Sequence, residues 1–208
     1  MLRLRVAETI EVLQNVADDD GFAACFARAV DVTVDAIADG GRVLLCGNGG
    51  SAADAQHFAA ELVGRFMLHR QPWSAIALAD NIAAVTAIAN DYDYAQVFAR
   101  AVQAHGRQGD VLVAFSTSGK SRNVIAACEM ANGLGLATVA FVGPGVSGLS
   151  RVADIALHVD GRNAARIQEG HKVVGHTMFE LVERRLVDEC PETSIHGGLA
   201  KQAMLTLS

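Results

Sequence analysis

The chain has 208 residues, 51% of them hydrophobic and 5% aromatic, with three prolines and a net charge of −6. That acidic balance argues against a nucleic-acid-binding surface, and no apolar run approaches the ~18 residues that a membrane span needs. Size and apolar content suit a single domain over residues 1–208 with a sizeable core.

The opening "MLRLRVAETIEVL" carries charges every few residues and no small-residue cleavage site, so a soluble cytoplasmic protein is expected. Over residues 1–38, Val6, Ile10, Leu13 and Val16 recur at helical spacing and "DDDG" breaks the pattern at 18–21. Two helices are predicted to stand ahead of a sheet. Cys25, Cys46, Cys128 and Cys190 form no C-x-x-C pair and read as buried free thiols.

From 39 to 189 short apolar runs alternate with helical patterns: "RVLLCG", "SAIALAD", "DVLVAFST", "ATVAFVG" and "DIALHV". Continuous apolarity marks strands buried on both faces, and intervening helices imply βαβ crossovers. The prediction is an α/β three-layer sandwich around a five-stranded parallel sheet, with ligands bound beyond the carboxyl ends of its strands. A last helix is predicted over about 164–189, and 190–208 reads as a loose tail in which His196 is given no role.

The first strand runs straight into "GNGGSAADAQHFAAE". Gly47, Gly49 and Gly50 allow a tight turn that exposes backbone N–H groups, and Ser51 with Asp54 has the form of a capping box. The third strand ends in "STSGKS", where Ser116, Thr117, Ser118 and Ser121 supply four short hydroxyls around a glycine. Two such loops point to an oxyanion. Neither has the triphosphate-loop pattern. A dinucleotide fingerprint is disfavoured, because Asp80 lies 33 residues after Gly47 rather than about 20.

His57 and Glu61, four apart on one helix, share a face and could hold a divalent metal or form a surface ion pair. The last helix offers Gln168, Glu169, His171 and His176. By spacing, Gln168 pairs better with His171, since Gln168 and His176 are about 12 Å apart along a straight helix. The two histidines cannot be separated on this ground.

Together, "GNGGSAADAQHFAAELVGRF", "TAIANDYDYAQVFAR", "GDVLVAFSTSGKS" and "RIQEGHKVVGH" resemble the sugar isomerase (SIS) family, and within it the phosphoheptose isomerases, over residues 5–187. The resemblance implies a SIS, flavodoxin-like fold and an intramolecular oxidoreductase that interconverts sedoheptulose 7-phosphate and D-glycero-D-manno-heptose 7-phosphate through an enediol, feeding ADP- or GDP-heptose synthesis. It implies Asn48, Gly49, Gly50, Asn90, Asp91, Ser116, Thr117, Ser118 and Ser121 as substrate-binding, with Ser51 and Gln168 assisting. It also implies His57, Glu61, Gln168 and His176 as ligands of one zinc ion per subunit, Glu61 as base and His176 as acid, in a homotetramer with active sites at subunit interfaces. Lys120 and Ala165 depart from residues common in relatives, an asparagine and an aspartate. The competing expectation is a non-catalytic SIS module that binds a sugar phosphate or a replication-initiator protein. Such modules need not keep the acid–base pair, which is present here.

Overall fold

The computed structural model describes residues 1–189, so the predicted tail at 190–208, with Cys190 and His196, lies outside the described residues. The two leading helices are α1 (Leu2–Ala17) and α2 (Asp20–Ala38), and the polar break falls between them. Asp19 starts α2 by accepting a hydrogen bond from the Phe22 N–H at 2.9 Å, which satisfies one of the orphan donors of a helix start.

Five strands follow, β1 (Val43–Gly47), β2 (Ala75–Ala77), β3 (Val111–Ser116), β4 (Ala137–Val142) and β5 (Ile155–His158). All pair in parallel in the order β2-β1-β3-β4-β5. Each is shorter by one or more residues than its apolar run, which extends past the paired segment at one or both ends. Between the strands lie α3 (Gly50–Val63), α4 (Ile82–Asp91), a 3-10 turn at Tyr94–Gln96, α5 (Val97–His105), α6 (Arg122–Gly133) and α7 (Gly148–Val152). The chain then enters α8 (Ala164–Glu189), matching the predicted last helix.

Strand side chains alternate between faces, and both faces are covered. Leu45, Val113, Phe115 and Phe141 pack under α2, α3 and α8, while Leu44, Cys46, Leu112 and Ala140 pack under α5, α6 and α7. Phe58, Phe115, Phe141 and Phe179 are almost wholly enclosed, each contributing roughly 1.5–3 kcal/mol of burial. Cys46 and Cys128 are buried free thiols as expected, and burial pushes both pKa values up, Cys128 to about 11. Cys25 is only half-buried.

The strand order reverses direction between β1 and β3, and at such a switch point the two following loops part to leave a crevice. Gly47 pairs with Phe115, so the glycine loop and the serine loop leave the sheet side by side. Among the described residues no helix is long and apolar enough to cross a membrane.

Candidate active site

The glycine loop turns into α3 through Gly49, whose φ of 57° and ψ of −120° favour a residue without Cβ. The capping box read at Ser51 does not form. Gly49 is the N-cap, Ser51 already lies buried inside the first turn, and the turn closes through backbone bonds from Ser51 and Ala52 to the carbonyls of Asn48 and Gly49. Asp54 is thereby released from capping and serves elsewhere.

Asn48 joins the two loops. It exchanges side-chain hydrogen bonds with Asn123, in the first turn of α6, at 2.9 and 2.8 Å, and its Oδ1 also accepts from the Tyr94 hydroxyl at 2.8 Å. In the serine loop the Ser116 and Ser121 hydroxyls lie 3.1 Å apart, and the Ser118 hydroxyl accepts from the Lys120 N–H. Ser121 precedes α6 without a side-chain cap; the Val124 N–H bonds to the Ser121 carbonyl and to Asn123 Oδ1, and the Arg122 and Asn123 N–H groups stand ahead of the helix's own backbone bonds. Helix dipole and hydroxyls together form a cradle suited to a phosphate.

One face of α3 meets one face of α8. The Nε2 atoms of His57 and His176 are 2.9 Å apart, and Glu61 Oε1 is 2.9 Å from the first and 3.6 Å from the second. His176 is thus the histidine that joins the pair on α3, and it does so within one chain. His171 points the other way. It is wholly buried, with Nε2 at 3.1 Å from the Val142 carbonyl and its ring edge-on to Phe141. Phe66 stacks on the His176 ring at 5.8 Å and 12°, and Phe58 lies beneath both His57 and His176.

Burial and the nearby Lys172 charge hold the His57 pKa below its ordinary value. Burial likewise lowers that of His176, against the pull of Glu61, and burial raises that of Glu61. The imidazoles therefore favour their neutral, electron-donating form. The other carboxylate oxygen of Glu61, Oε2, is buried with no hydrogen-bond partner.

That donor set fits a metal ion. Tetrahedral zinc with bonds of 2.0–2.1 Å places its ligand atoms about 3.3 Å from one another, and the three distances here straddle that spacing. Two neutral imidazoles, a carboxylate and an orphaned buried oxygen are chemistry that a divalent cation would satisfy.

The remaining predicted residues divide. Gln168 sits over Gly50, with no room for a Cβ between them, and donates to Asp54 Oδ2 at 3.0 Å. Asn90 donates to Asp91 at 2.8 Å, and both are exposed at the end of α4 without a hydrogen bond to either loop. Lys120 is exposed, as is Ala165. Sequence reasoning missed Asn123, Tyr94, Phe66 and, above all, Lys172, which lies midway between Gln168 and His176 at i, i+4 spacing and so on their face of α8.

Residues 7–143 match the SIS domain family. The chain is 43% identical over 181 residues to a phosphoheptose isomerase of Burkholderia pseudomallei, covering 87% of this chain and 92% of that one. It is 53% identical over 150 residues to a phosphoheptose isomerase of a Roseiflexus species, covering 72% and 76% respectively. Among solved structures, phosphoheptose isomerase GmhA from Neisseria gonorrhoeae superposes with a TM-score of 0.81 at 37% identity, covering 88% of this chain and all of that one. The five-stranded parallel sheet and these similarities place the chain in the SIS-domain family and, within it, among the phosphoheptose isomerases, which are sugar-phosphate isomerases.

Proposed function

We propose that this enzyme interconverts sedoheptulose 7-phosphate and D-glycero-D-manno-heptose 7-phosphate, supplying heptose for ADP- or GDP-heptose precursors. The observation that carries the reading is the meeting of His57, Glu61 and His176 on α3 and α8, α3 being the helix that the glycine loop opens.

The serine loop, Ser116 to Ser121, would take the phosphate, with Asn48, Gly49, Gly50 and Ser51 lining the neighbouring turn and Asn90 and Asp91 contributing polar groups from α4. Anchoring the far end of the sugar fixes its reacting carbons in register, so binding energy is spent on orientation. Glu61 removes a proton from the C1 carbon that bears a hydroxyl beside the ketose carbonyl. The C–H electron pair forms the C1–C2 double bond and the carbonyl electrons move to O2, which takes a proton from His176. Return of a proton at C2, with loss of the O1 proton, leaves the aldose. Such positioned groups each typically contribute 10²–10⁴-fold.

Zinc, one per subunit, would be held by His57, Glu61 and His176, with Gln168 swinging from Asp54 as a fourth ligand. Bound there, it supplies Lewis-acid polarisation of the sugar's carbonyl and hydroxyl oxygens. A cytoplasmic homotetramer is part of the same proposal, and the exposed Leu2, Leu4, Val6 and Ile10 of α1 are apolar surface that such an assembly would cover.

The test is to give purified, zinc-supplemented protein sedoheptulose 7-phosphate and follow the sugar signals by NMR. Appearance of the aldose phosphate is expected, and no conversion rejects the assignment.

A further inference from the structure

We propose, resting on the isomerase reading above, that Lys172 is a further catalytic residue whose ammonium hydrogen-bonds the sugar oxygen on which negative charge develops. Gln168, Lys172 and His176 are each four residues apart, so the lysine occupies the face of α8 that carries the proposed chemistry. Its Nζ lies 3.2 Å from Asp54 Oδ1 and 5.1 Å from the centre of the Phe58 ring. His57 and His176 border the same ring at 5.5 and 5.4 Å. One aromatic floor therefore carries an ammonium and two imidazoles at its rim.

The tether to Asp54 matters. Asp54 is buried, and it accepts from Gln168 with one oxygen and meets Lys172 with the other, so the ammonium is held in place rather than left to wander on a flexible stem. A donor fixed before the reaction stabilises developing charge without the cost of reorganising solvent. The side chain keeps 32% of its surface exposed, which leaves N–H directions free for a ligand. Its contacts are Asp54 and the ring that both histidines border, which argues for the reacting end of the sugar rather than the phosphate.

In the step, Glu61 takes the C1 proton, the C1–C2 double bond forms, and electrons shift to O2. Lys172 donates a hydrogen bond to O2 as that charge grows and forms no covalent bond, and His176 supplies the proton that neutralises it. The simpler account is that Lys172 only neutralises Asp54. Under that account, removing both charges together would be harmless.

The experiment compares wild type with Lys172→Met, Lys172→Arg and the double variant Asp54→Asn/Lys172→Met, measuring kcat and KM for sedoheptulose 7-phosphate. The affinity of a sugar-phosphate hydroxamate, an enediolate mimic, is measured alongside that of the matching alcohol by calorimetry. Expected is a fall of about 10²–10³-fold in kcat for both Met variants, the range for loss of one oxyanion donor. KM should change little, hydroxamate affinity should fall in parallel while alcohol affinity holds, and Lys172→Arg should recover part of the loss. Restoration of kcat in the double variant, or a rise in KM with kcat intact, overturns the proposal. Inert wild-type protein would remove the isomerase reading itself, whereas an active wild type with unimpaired variants removes only this inference.

Discussion

The Nε2 atoms of His57 and His176 lie 2.9 Å apart although 119 residues separate them in the chain. Gly175 makes this approach possible, because a Cβ there would run into the Phe58 ring and hold α8 away from α3. Two imidazole nitrogens at that distance either share one proton or both turn lone pairs to a cation, and their depressed pKa values favour the second in the presence of metal.

Zinc removal is therefore a sharp measurement. Chelated protein should take up one zinc per chain, read by elemental analysis. His57→Ala and His176→Ala should each weaken binding by more than the roughly 10–100-fold that loss of an outer-sphere partner costs. His171→Gln, altering the histidine that faces Val142, should bind zinc as wild type does. Equal zinc affinity in all four proteins would discard the metal site and leave the acid–base assignment standing.

Glu61→Gln preserves size and hydrogen-bonding shape but cannot accept the sugar's proton. Turnover should drop by at least about 10²–10⁴-fold, the range for a lost general base. Circular dichroism and thermal unfolding should stay close to wild type, because the amide keeps the side chain's volume and an oxygen for the His57 imidazole. Near-normal turnover would mean that the base lies elsewhere.

The loop carrying Phe66 is held by an enclosed ion pair. Arg70 Nε lies 2.9 Å from Glu183 Oε1, and both side chains are almost completely buried. Glu183 also accepts from the N–H groups of Phe66, Met67 and Leu68, while Arg70 donates to the carbonyls of Glu61 and Leu62 at the end of α3. Arg70→Met should cost about 3–5 kcal/mol, since it strands a carboxylate in the interior. Removing the exposed pair Arg162–Glu11 should cost under about 1 kcal/mol. Urea unfolding of both variants checks this, and similar small losses would show that Glu183 is satisfied by its backbone donors alone.

The sheet was legible because Val43–Gly47 and Val111–Ser116 are buried on both faces and so carry no polar alternation to hide them. The place of the glycine and serine loops follows from the strands, since their glycines and hydroxyls stand at the carboxyl ends of β1 and β3. The choice between His171 and His176 was not legible from spacing. Five residues turn a helix by about 140°, so the two point to different neighbours, and which one faces α3 depends on how α8 rolls on the sheet. The cap differs from the sequence pattern for a local reason: Ser51-x-x-Asp54 has the right letters, but Gly49 reaches a positive φ that starts the helix earlier. Lys172 is not legible in the sequence because its partner Asp54 lies on another helix.

His171, enclosed away from the His57–Glu61–His176 cluster, gives the fold a dependence on pH of its own. Burial pushes its pKa down to about 4, partly opposed by its hydrogen bond to the Val142 carbonyl. In the unfolded chain it titrates near 6.5. Between those values the unfolded state binds the proton and the folded state refuses it, so stability is full above about pH 6.5 and declines as pH falls toward 4. A shift of that size corresponds to roughly 3 kcal/mol lost over the window. Gln at this position retains a donor for Val142 and does not titrate. The urea midpoint of wild type should therefore fall further than that of His171→Gln between pH 7 and 4.5, with contributions of other acids cancelling in the difference. Parallel curves for the two proteins would show that the buried imidazole takes up its proton without cost to the fold.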